Sequence, residues 1–331
     1  MRVLVTGASG FIGSRAATRL ASLGADVRGV VRRSITLRRE ARVQLIRGDV
    51  TDPVSLRHAM AGCTVVFHCA WGGTTLDEQR QINVEGTRNV IEAAAAAGVG
   101  RVVHFSSMAV HGYRLGALLS EDAPLDLHSD AYGISKAEGE LVAFERGHAL
   151  GIEVVALRPT LVYGPRSPLW VLAYFERVKN EQVALIDGGK GLANLVYVDD
   201  LVDAMWLAAR QPVAGEAFLI SGPQPVTWRE YLGYFAAMCG KPPPPTVSLR
   251  RAQIEVQWLR VYGTLAQRPR RLQGMDLSLM TQHTAVSIER ARRLLGYDPR
   301  VSLVDGMQRC ERWLAQAGYL PPVEPARATG T

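Results

Sequence analysis

Tyr132-Gly-Ile-Ser-Lys136 sets a phenol and an ammonium four residues apart. The segment 132–150 has a helical composition, and residues at that spacing share one helix face. A free tyrosine titrates near ~10, and a neighbouring cation favours its phenolate. Such a pair can exchange a proton with a hydroxyl or carbonyl near neutral pH. The spacing alone arises often by chance. Ser106 and Ser107 give it weight, because they follow the apolar run 102–105. In an open α/β sheet, ligands bind beyond the carboxyl ends of strands. A serine placed there can hydrogen-bond the oxygen that the tyrosine serves.

A second constellation lies at the N-terminus. Gly7, Gly10 and Gly13 follow a β-branched run at 3–6 and precede an Ala-rich helical segment at 14–23. A helix start presents unpaired N–H groups and the positive end of its dipole. Glycines let the backbone turn tightly and come close to a pyrophosphate. The strand before and the helix after distinguish this loop from an ordinary glycine turn.

The apolar rhythm predicts the elements that carry these residues. Runs at 3–6, 27–31, 43–46, 65–69, 102–105 and 154–157 predict strands, and 14–23, 53–60, 79–97 and 132–150 predict helices. Thr51-Asp52-Pro53 is a helix start, with a capping side chain ahead of proline. Near-continuous apolar strands alternating with helices predict an α/β fold with a doubly wound parallel sheet. Beyond 158 the rhythm breaks. The stretch 158–168 reads as a long loop, and 196–200 as a short strand whose Asp199 and Asp200 cap a helix at 201–210. Lys241-Pro-Pro-Pro-Pro245 reads as a stiff connector, and 288–295 and 303–317 as terminal helices. The expected organisation is a dinucleotide-binding domain over 1–158 with returning elements near 194–221. A smaller substrate-binding lobe over 159–193 and 222–319 and a frayed tail over 320–331 complete it.

With 331 residues, 47% apolar and 21% charged, the chain can bury a sizeable core. No apolar run reaches the ~18 residues of a membrane span. The N-terminus enters the glycine turn at once, which argues against a signal peptide. Cys63, Cys69, Cys239 and Cys310 form no CxxC pair and read as free thiols of a reduced cytoplasm. The net charge of +7 suits an enzyme of anionic cofactors as well as a nucleic-acid binder. The denser arginines, Arg28, Arg32, Arg33, Arg38 and Arg39, then Arg268, Arg270 and Arg271, lack interleaved aromatics. Nucleic acid is therefore not expected. His68, His104 and His111 match no zinc spacing, so no metal is expected either.

Glycine turn, strand-end serine and Tyr/Lys pair, in this order, resemble the extended short-chain dehydrogenase/reductase family, which includes the NAD-dependent epimerases and dehydratases. The likeness runs from Thr6 to about Gly296. Gly7-Ala8-Ser9-Gly10-Phe11-Ile12-Gly13 resembles the family's cofactor loop, and Gly48-Asp49-Val50-Thr51-Asp52 its adenine-contacting segment. Val66-Phe67-His68-Cys69-Ala70 resembles the strand that ends along the cofactor, and Asn83-Val84-Glu85-Gly86-Thr87 the helix that braces the site. Arg158-Pro159 through Val162-Tyr163-Gly164-Pro165, and Val196 to Asp200, resemble its substrate-loop segments. The resemblance implies a Rossmann-like fold and a small-molecule substrate. It makes Tyr132 the general acid/base and Ser107 the group that orients the reacting oxygen. Lys136 lowers the phenol's pKa and binds the nicotinamide ribose. Further cofactor contacts are implied for Ser106, Trp71 and Pro159.

Readers of NAD carry an acidic residue after the second strand. Here Arg32-Arg33-Ser34 follows it, and a guanidinium suits a 2′-phosphate. NADP(H) is the expected cofactor, with NAD(H) left open. Ala193-Asn194 offer no cation where nucleotide-sugar members of the family hold a diphosphate. Met108-Ala109, after Ser107, lack the acidic pair of its dehydratases. The expected activity is an NADP(H)-dependent ketoreductase or alcohol dehydrogenase for a small, weakly charged substrate, with Trp71, Met108 and Tyr163 as pocket walls. The alternatives are a nucleotide-sugar 4-epimerase with tightly bound NAD and a non-catalytic NADP-binding regulator. A homodimer is left open.

Overall fold

Six apolar runs become six strands, and a seventh joins them. The computed structural model describes residues 1–33, 43–113, 116–262 and 274–321. The first five strands are β1 (Arg2–Thr6), β2 (Asp26–Val31), β3 (Val43–Arg47), β4 (Val65–His68) and β5 (Arg101–Phe105). Glu153–Pro159 and Ala217–Ile220 complete a sheet that runs Ala217–Ile220, Glu153–Pro159, β5, β4, β1, β2, β3. All its pairs are parallel. The order reverses direction at β1, so the carboxyl ends of β1 and β4 flank a topological switch point, where such sheets bind ligands. Strands buried along most of their length, such as β4, are what a sheet covered by helices requires.

The first compact unit holds Met1–Thr160, Val198–Ser221 and Val286–Pro299. The second holds Leu161–Tyr197, Gly222–Ala285 and Arg300–Thr331, as far as these are described. The returning stretch differs from the sequence expectation in two places. Residues 194–197 lie in the second unit, because Leu195–Tyr197 pairs with Leu161–Tyr163. Residues 286–299, expected in the lobe, belong to the first. Their contacts explain this: Ser287 N–H donates to the Leu119 carbonyl, Tyr297 Oη to the Ser221 carbonyl, and Arg290 reaches Asp122 and Glu216.

Three local expectations also need correction. The expected loop 158–168 carries the strand Leu161–Tyr163. Asp199 and Asp200 do not cap a helix but lie within the first turn of Val198–Ala208, where Asp199 takes both arms of the Arg15 guanidinium. The expected helix 79–97 is broken: Leu76–Gln79 passes through a π-helical turn, Arg80–Glu85, into Gly86–Ala96. Such π-turns gather at functional sites. Ser34, Arg38, Arg39, Arg268, Arg270 and Arg271, and the tail from 322, lie outside the described residues. Among the described residues, no helix is long and apolar enough to cross a membrane, and no cluster of His, Cys, Asp or Glu could hold a metal ion.

Candidate active site

The glycine turn is built by close approach of backbone to backbone. Gly7 has φ +65°, a region that L side chains rarely adopt, and a Cβ there would stand 2.9 Å from the Ala70 backbone. A Cβ on Gly13 would stand 2.2 Å from the Gly7 carbonyl oxygen. Gly10 is the N-cap of the helix Phe11–Ser22, offers no side-chain cap, and is followed by a first turn without acidic residues. The first N–H groups of this helix therefore keep their capacity for an external anion. Ser9 is exposed at the turn, and Phe11 and Ile12 open the helix half-buried. A loop that admits no Cβ at Gly7 or Gly13, ending in an uncapped helix start, fits the pyrophosphate of a dinucleotide.

The serine, tyrosine and lysine that the sequence singles out are carried by the end of β5 and by the helix Ala131–Leu150. Ser107 caps the short turn Met108–His111, its Oγ accepting from Ala109 N–H at 3.2 Å. Asp130 caps the helix Ala131–Leu150 through Gly133 N–H at 2.8 Å, and this fixes Tyr132 in the first turn. The Ser107 hydroxyl acts on the Tyr132 phenol. Burial holds the phenol above its ordinary value; Ser107 favours the phenolate, and the Asp130 charge opposes it. Lys136, one turn on, is 5% exposed. Its ammonium donates to the Phe105 carbonyl, and burial lowers it to about 8 against the opposing charge of Glu140. Lys136 thus ties the helix to a strand-end carbonyl, and the phenol one turn before it is raised by burial.

Around these groups stand the other expected site residues. Trp71 is 62% exposed and meets the Tyr132 ring edge-on, 5.8 Å between centroids. Met108 is half-buried at the start of its turn, and Ala70 is pressed on Gly7. Ser106 is buried with no partner for its Oγ. Asn83, on the π-turn, accepts from Gly72 N–H and donates to Ser135 Oγ on the helix Ala131–Leu150. Asp49 folds its own turn, accepting from Thr51, and Val50 is buried with its carbonyl taken by Asn89. Arg32 and Arg33 follow β2 with exposed side chains. Pro159 ends the strand next to β5.

Tyr163 is placed differently. It is 2% exposed within the second unit, edge-on to Tyr197 and Tyr231 and beneath Gly306. It lines a cavity of about 180 Å³ there with Tyr197, Pro223 and Leu303.

Sequence reading passed over Thr6, Ser135, Glu140 and the buried pairing of Glu140 with Arg158, in which Arg158 also meets His111 Nε2 at 3.2 Å. The signal for Glu140 was available: it lies four residues after Lys136, on the same helix face.

A switch-point glycine turn and a strand-end serine facing a helical tyrosine define a dinucleotide-binding α/β enzyme of the Rossmann class. The chain belongs to the NAD dependent epimerase/dehydratase family, whose pattern matches residues 3–221. It is 33% identical over 327 residues to a 2-alkyl-3-oxoalkanoate reductase of Stenotrophomonas maltophilia, covering 93% of this chain and 98% of that protein. It is 30% identical to a 3-beta-hydroxysteroid dehydrogenase of Mycolicibacterium neoaurum, covering 93% and 90%. Among solved structures it resembles MoeE5 in complex with UDP-glucose and NAD, with a TM-score of 0.76 and 26% identity over 96% and 99% of the two chains. It is an NAD(P)-dependent enzyme of the oxidoreductase and epimerase type.

Proposed function

We propose that this chain is an NADP(H)-dependent ketoreductase or alcohol dehydrogenase acting on a small, weakly charged carbonyl or hydroxyl compound. The observation that carries the reading is the placement of Ser107 at the end of β5, Tyr132 in the first turn of Ala131–Leu150, and Lys136 on the Phe105 carbonyl of β5. A phenol held above its usual pKa is protonated at neutral pH, the state needed to donate a proton to a carbonyl oxygen. Ser107 fixes the oxygen on which both hydroxyls act. Lys136 holds the end of β5 to the catalytic helix through the Phe105 carbonyl. The bound dinucleotide supplies hydride exchange. In the oxidative direction Tyr132 accepts the proton instead.

Arg32 and Arg33 support the phosphorylated cofactor, since their side chains are exposed where an acidic reader of the ribose would stand. In the second unit Asn194 is buried with its amide donated to the Thr284 carbonyl, and Ala193 is fully buried. Neither offers a charge to a diphosphate. The reductase and dehydrogenase relatives agree with this reading. The likeness to MoeE5 with UDP-glucose favours a second one, a nucleotide-sugar epimerase that keeps its NAD.

The two separate on cofactor behaviour. The purified chain, given NADPH and a panel of apolar ketones, is expected to consume NADPH and to carry no retained dinucleotide. Retained NAD, with turnover of a UDP-sugar and no net consumption, would establish the epimerase instead.

A further inference from the structure

His68 lies outside the reacting groups, yet it joins the parts that hold them. It ends β4, opposite Thr6 on β1 and His104 on β5. Its Nδ1 is 2.8 Å from Thr6 Oγ1, and its Nε2 is 3.0 Å from Thr87 Oγ1. Thr87 Oγ1 donates to the Asn83 carbonyl at 2.6 Å, so it must accept from Nε2–H. Thr6 Oγ1 accepts from Ala70 N–H at 3.2 Å and is left to donate to Nδ1. The bonds thus run in one direction: Ala70 N–H to Thr6, Thr6 to His68, His68 to Thr87, Thr87 to Asn83. This order makes His68 the neutral Nε2–H tautomer. Its surroundings agree, since burial, with the Lys136 charge beside it, lowers the imidazole to about 3.

The two ends of this chain of bonds are site walls. Ala70 carries the backbone pressed against Gly7, and Trp71 follows it. Asn83 sits on the π-turn and bonds Gly72 N–H on one side and Ser135, the neighbour of Lys136, on the other.

We infer that His68 is a positioning residue: through Thr6 and Thr87 it fixes the Ala70–Gly72 wall against the glycine turn, and so sets the affinity of the dinucleotide site. The inference rests on the dinucleotide-binding reading of that turn. It does not depend on which substrate the enzyme takes.

The relay is in series, which gives it a signature. Thr6→Val removes the acceptor for Ala70 N–H, and Thr87→Val removes the acceptor for His68. Each is expected to weaken NADP⁺ binding, followed by calorimetric titration, roughly tenfold, the worth of one hydrogen bond. The double variant is expected to bind no more weakly than the worse single, because a series broken once is already broken. In a His68→Leu background the Thr87 change should not matter further, since Thr87 reaches the Ala70 wall only through His68. The ¹⁵N spectrum of the wild-type chain should give His68 as a neutral ring protonated at Nε2. Losses that multiply in the double variant, or a ring protonated at Nδ1, would overturn the inference while leaving dinucleotide binding intact. Should His68→Leu fail to fold, the threonine pair and the spectrum still decide. A wild-type chain that binds no dinucleotide would overturn the underlying reading instead.

Discussion

Burial lowers Lys136 to about 8 from 10.5. Between those values the unfolded chain holds a proton that the native one has released, so stability from this group rises with pH across that window. Below about 8 the cost of the buried cation is fully present. Lys136→Met is therefore expected to raise the melting temperature at pH 7 while lowering kcat/KM at least ~10²-fold, because the strand-end carbonyl loses its tie to the catalytic helix. Thermal melts and steady-state rates on the same variant check both halves. The lysine was legible from its spacing to Tyr132. Its partner was not, because nothing in a sequence says that an ammonium will choose a backbone carbonyl over a phenol. Arg32 carries the other residue-level expectation. A charge-assisted contact to a phosphate contributes ~1.5–3 kcal/mol. Arg32→Asp should then cut any preference for NADPH over NADH by roughly ten- to a hundredfold. Unchanged dissociation constants for both would show that Arg32 does not read the phosphate.

At the scale of elements, the site depends on how closely the catalytic helix lies on the π-turn. A Cβ on Gly139 would stand 2.4 Å from the Asn83 carbonyl oxygen, so Ala131–Leu150 can approach only with glycine there. Gly139→Ala is expected to cost ~1–3 kcal/mol of stability by overpacking, read by urea unfolding, and to lower kcat by displacing Tyr132 and Lys136. Wild-type stability in this variant would contradict the packing described. The strands and the long helices were legible because each buries an apolar run of its own period. The π-turn was not: Gln79 to Ala97 reads as one continuous helix, and the extra residue per turn is imposed by tertiary contacts such as the Asn83–Ser135 bond. The strand Leu161–Tyr163 was hidden for a related reason. Its partner, Leu195–Tyr197, lies more than thirty residues away, and the prolines around it signal only a loop.

The whole molecule carries two further consequences. His104 is buried with neither ring nitrogen partnered, and burial holds it well below 6.5, as it does His68. As pH falls below about 6.5 the unfolded chain takes up protons that these native rings refuse, so stability is lost on the acid side. His104→Leu should move the acid-unfolding midpoint, followed by circular dichroism, to lower pH; an unmoved midpoint would exclude this cause. The second consequence concerns substrate charge. The net charge of +7 is general, but Ala193 and Asn194 provide no local cation, and a buried diphosphate without partners is disfavoured. UDP and dTDP are expected to bind no better than the millimolar range in the presence of NADP⁺. Micromolar binding in a calorimetric titration would favour the epimerase.

In the proposed reaction Tyr132 passes the proton when NADPH reduces a carbonyl. The most direct measurement of this role is single-turnover oxidation of bound NADPH by an accepted ketone, in the wild-type chain and in Tyr132→Phe. The variant is expected to react ~10²–10⁴ more slowly with its NADPH dissociation constant unchanged. A near-wild-type rate in Tyr132→Phe would contradict this role.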